Sequence, residues 1–422
     1  IAAMSKYKLT RRSFVQTSIT SLASGLTAIY GKSILDQVKP FTMPKSSNDD
    51  DWSAIRSHFI LDDGVTYMNN ASLGMPPLEV VDSVNKGYKA ISKDPLHGKH
   101  HLQGTIKNNV IPALAKMFGA KSKEMILTRN ASEALHLQTT GLILKEGDEV
   151  IVSTQEHPAA LKPWIHIKAK NNIKIKTVFI PSPLISERDV VNRLSSAITS
   201  KTKAISFCHV TRGGHKYPVK KISRMARKKG IATLVDGAQA VGQFPIDIKD
   251  LECDAYSASL HKWVLAPSGT GFLCVRENSK DYFDSPFDPD ASDIHGLFNP
   301  PGTKDLPVRA GINSALNFIN KIGMKNIEGR CRYLSDYLKE GLKKINGVTL
   351  LSGKSPNLSA PGSTIFEKKK LDAITSVDLF EKRIKFHIDE HQRDGHNAIR
   401  ISTHIYNSTN EIDALLNELK NL

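Results

Sequence analysis

Cysteine is scarce in this chain and poorly placed for cross-linking: Cys208, Cys253, Cys274 and Cys331 are the only four in 422 residues, and no two form a CxxC pair. That excludes a disulfide framework or a zinc site built on paired thiolates, and leaves the four to be read as buried small hydrophobes. No zinc-finger or RNP signature accompanies the formal charge of +16, and the lysines are spread along the chain. The basicity therefore reads as a generally cationic surface, not as nucleic-acid binding. No internal repeat is visible, and beyond the first thirty residues no run is apolar enough to span a membrane. What is present, 40% hydrophobic residues with 27 Gly and 20 Pro, suits a globular chain with a sizeable core and more than one lobe.

Acidic residues are also missing from residues 1–31, where Lys6, Lys8, Arg11 and Arg12 precede a weakly apolar run studded with Ser, Thr and Gly. This is the grammar of an export signal. Thr10, Arg11, Arg12, Ser13, Phe14 and Val15 resemble the twin-arginine motif, which implies passage through the twin-arginine translocase to the periplasm. A lipid-anchored or spanning helix is the competing reading, but spanning takes about 20 mostly apolar residues and this run is short and polar. Residues 32–51 then read as a polar linker.

From residue 120 onward, short β-branched runs at 149, 174, 203, 231, 254 and 271 alternate with helical patterns at 132–144, 157–171, 188–199 and 219–229. Such alternation predicts an α/β fold with a mostly parallel sheet, helices on both faces, and ligand residues at the carboxyl ends of the strands. After the Pro- and Gly-rich stretch 295–307 come helical patterns at 308–322 and 326–346, the run "STIFE", a helix at 376–386, the strand-like "AIRIST" and a helix at 409–421. This predicts a smaller α+β domain behind the large one.

The chemistry gathers at the predicted strand ends. Asp236 closes an apolar strand in "LVDGAQAVGQFPID", where it either caps a helix or holds a positive charge inside the protein. Lys262 in "SASLHKW" follows one strand further on, so the two can face a single ligand. A lysine forms an imine with an aldehyde, and pyridoxal 5′-phosphate supplies both an aldehyde and a pyridine nitrogen needing an acidic partner. Ala131 and Ser132 open a helix whose free N–H groups suit the phosphate, and Ser259 and His261 can add contacts. His157, just after the strand at 149, is either a ring-stacking imidazole or an N-cap.

With these motifs in order, the sequence resembles the class V aminotransferase family of pyridoxal-phosphate enzymes (fold type I), most of all its isopenicillin N epimerase-like branch. The resemblance runs from "YMNNASLGMPP" through "VDGAQAVGQFPID", "SASLHKWVLAPSGTGFLCVR" and "GTKDLP" to "IRISTHIYNSTNEIDALL". It implies that Lys262 is the Schiff-base lysine, that Asp236 pairs with the pyridine nitrogen, that Gln239 bonds the phenolic oxygen and that His157 stacks on the ring. Ala131, Ser132, Ser259 and His261 would hold the phosphate, with Thr303 reaching it from the neighbouring subunit of a homodimer. Arg400 would clamp the substrate α-carboxylate, with Asn69 or Asn70 lining the site and Asn70 taken as the contact. The implied layout is an N-terminal segment 52–71 packed with the small domain, a large cofactor domain 72–305 and a small domain 306–422.

The chain also departs from the family. No cysteine lies between 332 and 422, where cysteine desulfurases carry their nucleophile. His261 stands where serine-pyruvate and alanine-glyoxylate aminotransferases usually have Gln. The segment 208–219 is one residue short, which leaves open whether Arg212 or His215 faces substrate. His97, His100 and His101 read as solvated loop histidines and not as a metal cluster, and no metal is expected. The leading expectation is an enzyme acting at the α-carbon of an amino acid or amino-acid conjugate by epimerase-like or aminotransferase chemistry. The alternatives are a carbon–sulfur lyase that needs no protein cysteine, and a non-catalytic exported protein that keeps the fold as a binding module.

Overall fold

The computed structural model describes residues 38–288, 290–393 and 395–422; the expected signal, 1–31, and residues 32–37 lie outside them. The chain divides into two units, 1–40 and 41–422, and the second contains both main sheets. A short strand, β1 (Thr66–Tyr67), precedes seven strands that form the larger sheet: β2 (Met125–Thr128), β3 (Glu149–Ser153), β4 (Lys174–Val178), β5 (Thr202–Cys208), β6 (Ala232–Asp236), β7 (Ala255–Ser259) and β8 (Gly271–Val275). Their order is β2-β8-β7-β6-β5-β3-β4, and β8 alone runs against the rest, pairing antiparallel with both β2 and β7. A second, four-stranded sheet comprises β9 (Val348–Leu350), β10 (Ser363–Lys368), β12 (Asp389–His391) and β13 (Ala398–Ser402), while β11 (Phe386–His387) pairs parallel with β1.

Burial explains why the middle of the larger sheet reads as continuous apolar runs: every residue of β6, β7 and β8 is buried, as expected where helices cover both faces. The edge strand β4, "KIKTV", is largely exposed and carries Lys174 and Lys176 instead. Helix starts are written in the sequence. Asn130, Ser186, Asp305 and Ser408 each accept a backbone N–H of their own first turn, and Ser408 forms a full capping box with Glu411.

The order of strands sets where a ligand can sit. From β3 the chain steps one way to β4, then the other way to β5, β6 and β7, so the crevice lies at the carboxyl ends of β3 and β5. Those ends, with those of β6 and β7, deliver Glu156 and His157, Thr211 and Arg212, Asp236, and Ser259 to Lys262.

The expected layout is modified at both ends. The helix Asp49–Arg56 takes in the end of the predicted linker: Asp49 pairs with buried Arg330 and accepts from Thr409, and Phe41 is buried against Phe318. The helix Leu306–Ile322 packs on the large domain, Gly87 and Gly311 leaving room for Pro307 and Val84 at their contacts. Its apolar residues Ile312, Leu316 and Ile319 join the core of the larger sheet, whereas the separate small-domain core gathers Leu334, Leu338, Phe366 and Ile401. His97, His100 and His101 lie on a helix, Pro95–Thr105, not in a loop, and are exposed. His97 bonds Asp94, the residue that caps this helix.

Candidate active site

Lys262 is fixed through its backbone. Asn70 Nδ2 donates to the Lys262 carbonyl at 3.4 Å, and Gly74 N–H donates to the His261 carbonyl at 2.8 Å. Gly74 is pressed so close that a Cβ there would overlap the Lys262 carbonyl oxygen, which only glycine permits. Behind the lysine, Trp263 is fully buried; its indole N–H donates to Gln239 Oε1 at 2.9 Å, and His404 donates to its carbonyl at 3.1 Å. Burial lowers the Lys262 pKa, Asp236 opposing this and the cations Arg400 and Arg212 adding to it.

Asp236 ends β6 with its Oδ1 accepting from Ala238 N–H at 2.9 Å. Burial raises its pKa, against the pull of that hydrogen bond and of Lys262. A second acid stands beside it. Glu156 is 3% exposed, its Oε1 accepts from the Ser153 hydroxyl at 2.5 Å, and the Cys208 backbone and thiol lie close enough to oppose the effect of its burial. Burial, with Asp236 nearby, pushes Glu156 up to about 8, so at neutral pH it carries a proton and spares Asp236 a like-charged neighbour.

His157 takes the N-cap role, and that role orients its ring. Its Nδ1 accepts from Ala159 N–H at 3.1 Å and so caps the helix Pro158–Asn171 at the mouth of the cleft. Desolvation in the cleft, with Lys262, Arg393, Arg212 and Arg400 around it, holds the ring down to about 4 and therefore neutral. A neutral, oriented imidazole can lie on an aromatic ring without a charge to desolvate.

The predicted phosphate cradle is partly assembled. Ala131 N–H donates to Ser259 Oγ at 2.9 Å, tying the helix Ala131–Thr140 to the strand before the lysine, and Ser132 is exposed on the same first turn. His261 lies with Nδ1 3.1 Å from the Thr270 carbonyl, so Nδ1 is the donor and a neutral ring offers Nε2 only as an acceptor. Burial lowers the His261 pKa, so a donated contact to phosphate requires the anion itself to draw a proton onto the ring. Gln239 already accepts from Trp263 and donates Nε2–H to the Ala71 carbonyl at 2.8 Å, leaving one N–H. Thr303 is exposed on the loop before the helix Leu306–Ile322.

The opposite wall belongs to the small domain. Arg400 in β13 is 3% exposed, donates through Nη2 to Asn69 Oδ1 at 3.1 Å and to Asp389 Oδ2, and keeps a buried Nε with no partner. Burial lowers its pKa to about 10, which still leaves it a full cation at neutral pH. Asn69, not Asn70, is therefore the asparagine against Arg400: Asn70 is fully buried, with its Oδ1 accepting from the Tyr406 hydroxyl at 2.8 Å and its amide on the lysine backbone. The shortened segment 208–219 also resolves. Thr211 N–H bonds the His215 carbonyl in a tight turn that sends His215 inward to the Leu351 carbonyl and Arg212 outward to Asp389 and Glu390.

These groups fit pyridoxal phosphate: a desolvated lysine for an aldehyde, a buried carboxylate for a ring nitrogen, a neutral imidazole for a ring face and a helix start for a phosphate. The four thiols do not enter this set. All are buried, with burial driving each pKa upward, to about 12 for Cys253 and Cys331. Among the described residues no group of three or more His, Cys, Asp or Glu could hold a metal, and no helix is long and apolar enough to cross a membrane.

Comparison with known proteins decides the family, since the model of the class-V aminotransferases matches residues 66–415. The chain belongs to the class-V aminotransferase family. Among class-V relatives, the isopenicillin N epimerase of Amycolatopsis lactamdurans is 27% identical over 392 residues, covering 88% of this chain and 98% of that protein. A probable cysteine desulfurase of Xylella fastidiosa is 28% identical over 373 residues, 82% of this chain and 87% of its own. The fold is shared with the cystine C–S lyase C-DES, seen with cysteine persulfide (TM-score 0.78, 21% identity, 85% of this chain and 98% of that one). It is shared also with a cysteine desulfurase of Escherichia coli (TM-score 0.76, 20% identity, 88% and 98%).

Proposed function

We propose that this class-V protein is a pyridoxal-phosphate-dependent enzyme that acts at the α-carbon of an amino acid or amino-acid conjugate, by epimerisation or transamination. One observation carries the reading: Lys262 and Asp236 share one wall of a cleft whose other wall presents the buried Arg400 guanidinium. An α-carboxylate held by Arg400 lays the α-carbon between the walls. The bound cofactor supplies an aldehyde for Lys262 and a ring that takes up electron density from the α-carbon. Asp236 would stand against the ring nitrogen, and Glu156, protonated, would not compete for it. His157 covers the ring face and keeps water from it. Lys262 Nζ, its pKa lowered by burial, takes and returns the proton on the α-carbon.

A carbon–sulfur lyase is the second reading, favoured by the fold shared with C-DES. It would run without a protein thiol, since all four are buried. A binding module that merely keeps the fold leaves the buried Lys262 and the orphaned Arg400 Nε without a purpose. Export by the twin-arginine route, work in the periplasm, and a homodimer whose exposed Thr303 reaches the partner's cradle are part of the proposal.

The deciding experiment is a panel of L- and D-amino acids, followed by spectral change of the bound cofactor, solvent deuterium uptake and product analysis. Deuterium at the α-carbon with inversion identifies an epimerase, and a keto acid that keeps the whole side chain of its amino acid, with no ammonia released, identifies a transaminase. A sulfur-free fragment from a thiol substrate identifies the lyase. No spectral response and no exchange with any amino acid would overturn α-carbon chemistry altogether.

A further inference from the structure

Asp389 lies directly across the β12–β13 ladder from Arg400, and its two carboxylate oxygens do different jobs. Oδ1 is anchored by the Glu390 N–H at 3.0 Å. Oδ2 is shared between two guanidinium groups, accepting from Arg400 Nη2 and from Arg212 Nη2 at 3.2 Å. Arg212 has a second partner in Glu390 Oε1 at 2.8 Å, and Glu390 is itself held by the Gln392 N–H at 2.7 Å.

The contact on Arg400 is made by one nitrogen only. Its Nε is buried and orphaned, whereas a free carboxylate grips an arginine through two parallel N–H bonds. An incoming carboxylate that takes Nε together with Nη2 satisfies a donor that Asp389 leaves unmade, and leaving a buried donor unmade is costly. Asp389 does not then become an unpaired buried charge, because Arg212 still holds Oδ2.

We infer that Asp389 is a specificity-determining residue, a built-in carboxylate that the substrate carboxylate must displace from Arg400 onto Arg212. The inference rests on Arg400 being the carboxylate clamp. It narrows the substrate class. A carboxylate is exchanged for a carboxylate, Arg212 is already answered by Asp389 and Glu390, and Arg393 is turned onto the Gln155 and Glu156 carbonyls. The site therefore binds one acid group and is not a double clamp for an amino acid with an acidic side chain.

The test uses the cofactor-loaded protein and two non-reacting probes, propionate and succinate, with dissociation constants measured by calorimetry. Asp389→Asn keeps the Oδ1 acceptor and removes the charge; Asp389→Ser serves if that variant does not fold. The expected result is propionate bound about tenfold more tightly by Asp389→Asn and at least tenfold more weakly by Arg400→Gln. Wild type shows no preference for succinate over propionate. Arg212→Gln weakens propionate less in the Asp389→Asn background than in wild type, because part of its effect runs through Asp389. If Arg400→Gln weakens binding while Asp389→Asn does not tighten it, displacement is overturned and the clamp stands. Unchanged affinity in Arg400→Gln would overturn both. A tenfold preference of wild type for succinate overturns the single-acid reading.

Discussion

On the sheet side of the cleft, the site residues are held by backbone and by neutral side chains: Asp236 by the Ala238 N–H, the Lys262 backbone through Asn70 and Gly74, and the neutral His157 by its own helix. On the small-domain side, Arg400, Asp389, Arg212 and Glu390 hold one another. The first arrangement cannot be exchanged without unfolding the strand ends. The second is a set of ion pairs in which one anion can replace another at modest cost. A cofactor that stays needs the former and a substrate that comes and goes needs the latter, so the two walls suit the two ligands that the proposed function assigns to them.

The largest effect on the cofactor is expected from Gly74→Ala, which forces a methyl into the Lys262 carbonyl. Overpacking of this kind costs roughly 1–3 kcal/mol, and because it lands on the lysine backbone the variant should lose its visible cofactor band, as absorption spectra would show. Retention of a full band would mean that the sheet-side wall is less rigid than its contacts imply. Next comes Arg400→Gln, which removes a buried charge from a hydrogen-bonded set, a change worth roughly 2–5 kcal/mol in comparable contacts. Amino-acid affinity should fall on the order of a hundredfold while the cofactor band is unchanged. Loss of the band instead would merge the two walls into one.

The effect that touches the bound ligands least concerns pH. Burial raises Glu156 from its ordinary value of 4.5 to about 8, so its contribution to stability is full below about 4.5 and is lost as pH rises through about 8. Glu156→Gln keeps the acceptor for Ser153 and cannot ionise. Urea melts should show it gaining on wild type from about pH 4.5 to 8, by at most about 1.4 kcal/mol per pH unit, and level above that. A difference independent of pH would show that Glu156 is ionised in the folded protein.

Much of this was legible in the sequence because strand ends carry local signatures. Asp236, Lys262 and His157 each follow a short apolar run, and the strands from β3 to β8 fall within about two residues of where β-branched runs place them. Local signals also explain what was missed. β2 is only four residues, "MILT", and the α-helices between 78 and 117 bury at most three residues each, too few to stand out from a lysine-rich background. Glu156 is adjacent to His157, yet an acid beside a histidine gives no sign that it is buried and protonated. The Arg212–Asp389 contact joins residues 177 apart, and only the fold brings them together. For the same reason Asn69 and Asn70 could not be told apart: neighbours in an extended segment point to opposite sides, and the sequence does not say which side is the cleft.

The central claim is that one lysine among many is the attachment point of the cofactor, and reduction with borohydride tests it most directly by fixing the linkage for digestion and mass spectrometry. The expected result is a pyridoxyl phosphate group on Lys262, in the peptide containing "SASLHKW", and its loss in Lys262→Ala. A group found on another lysine, or none on any, would contradict it.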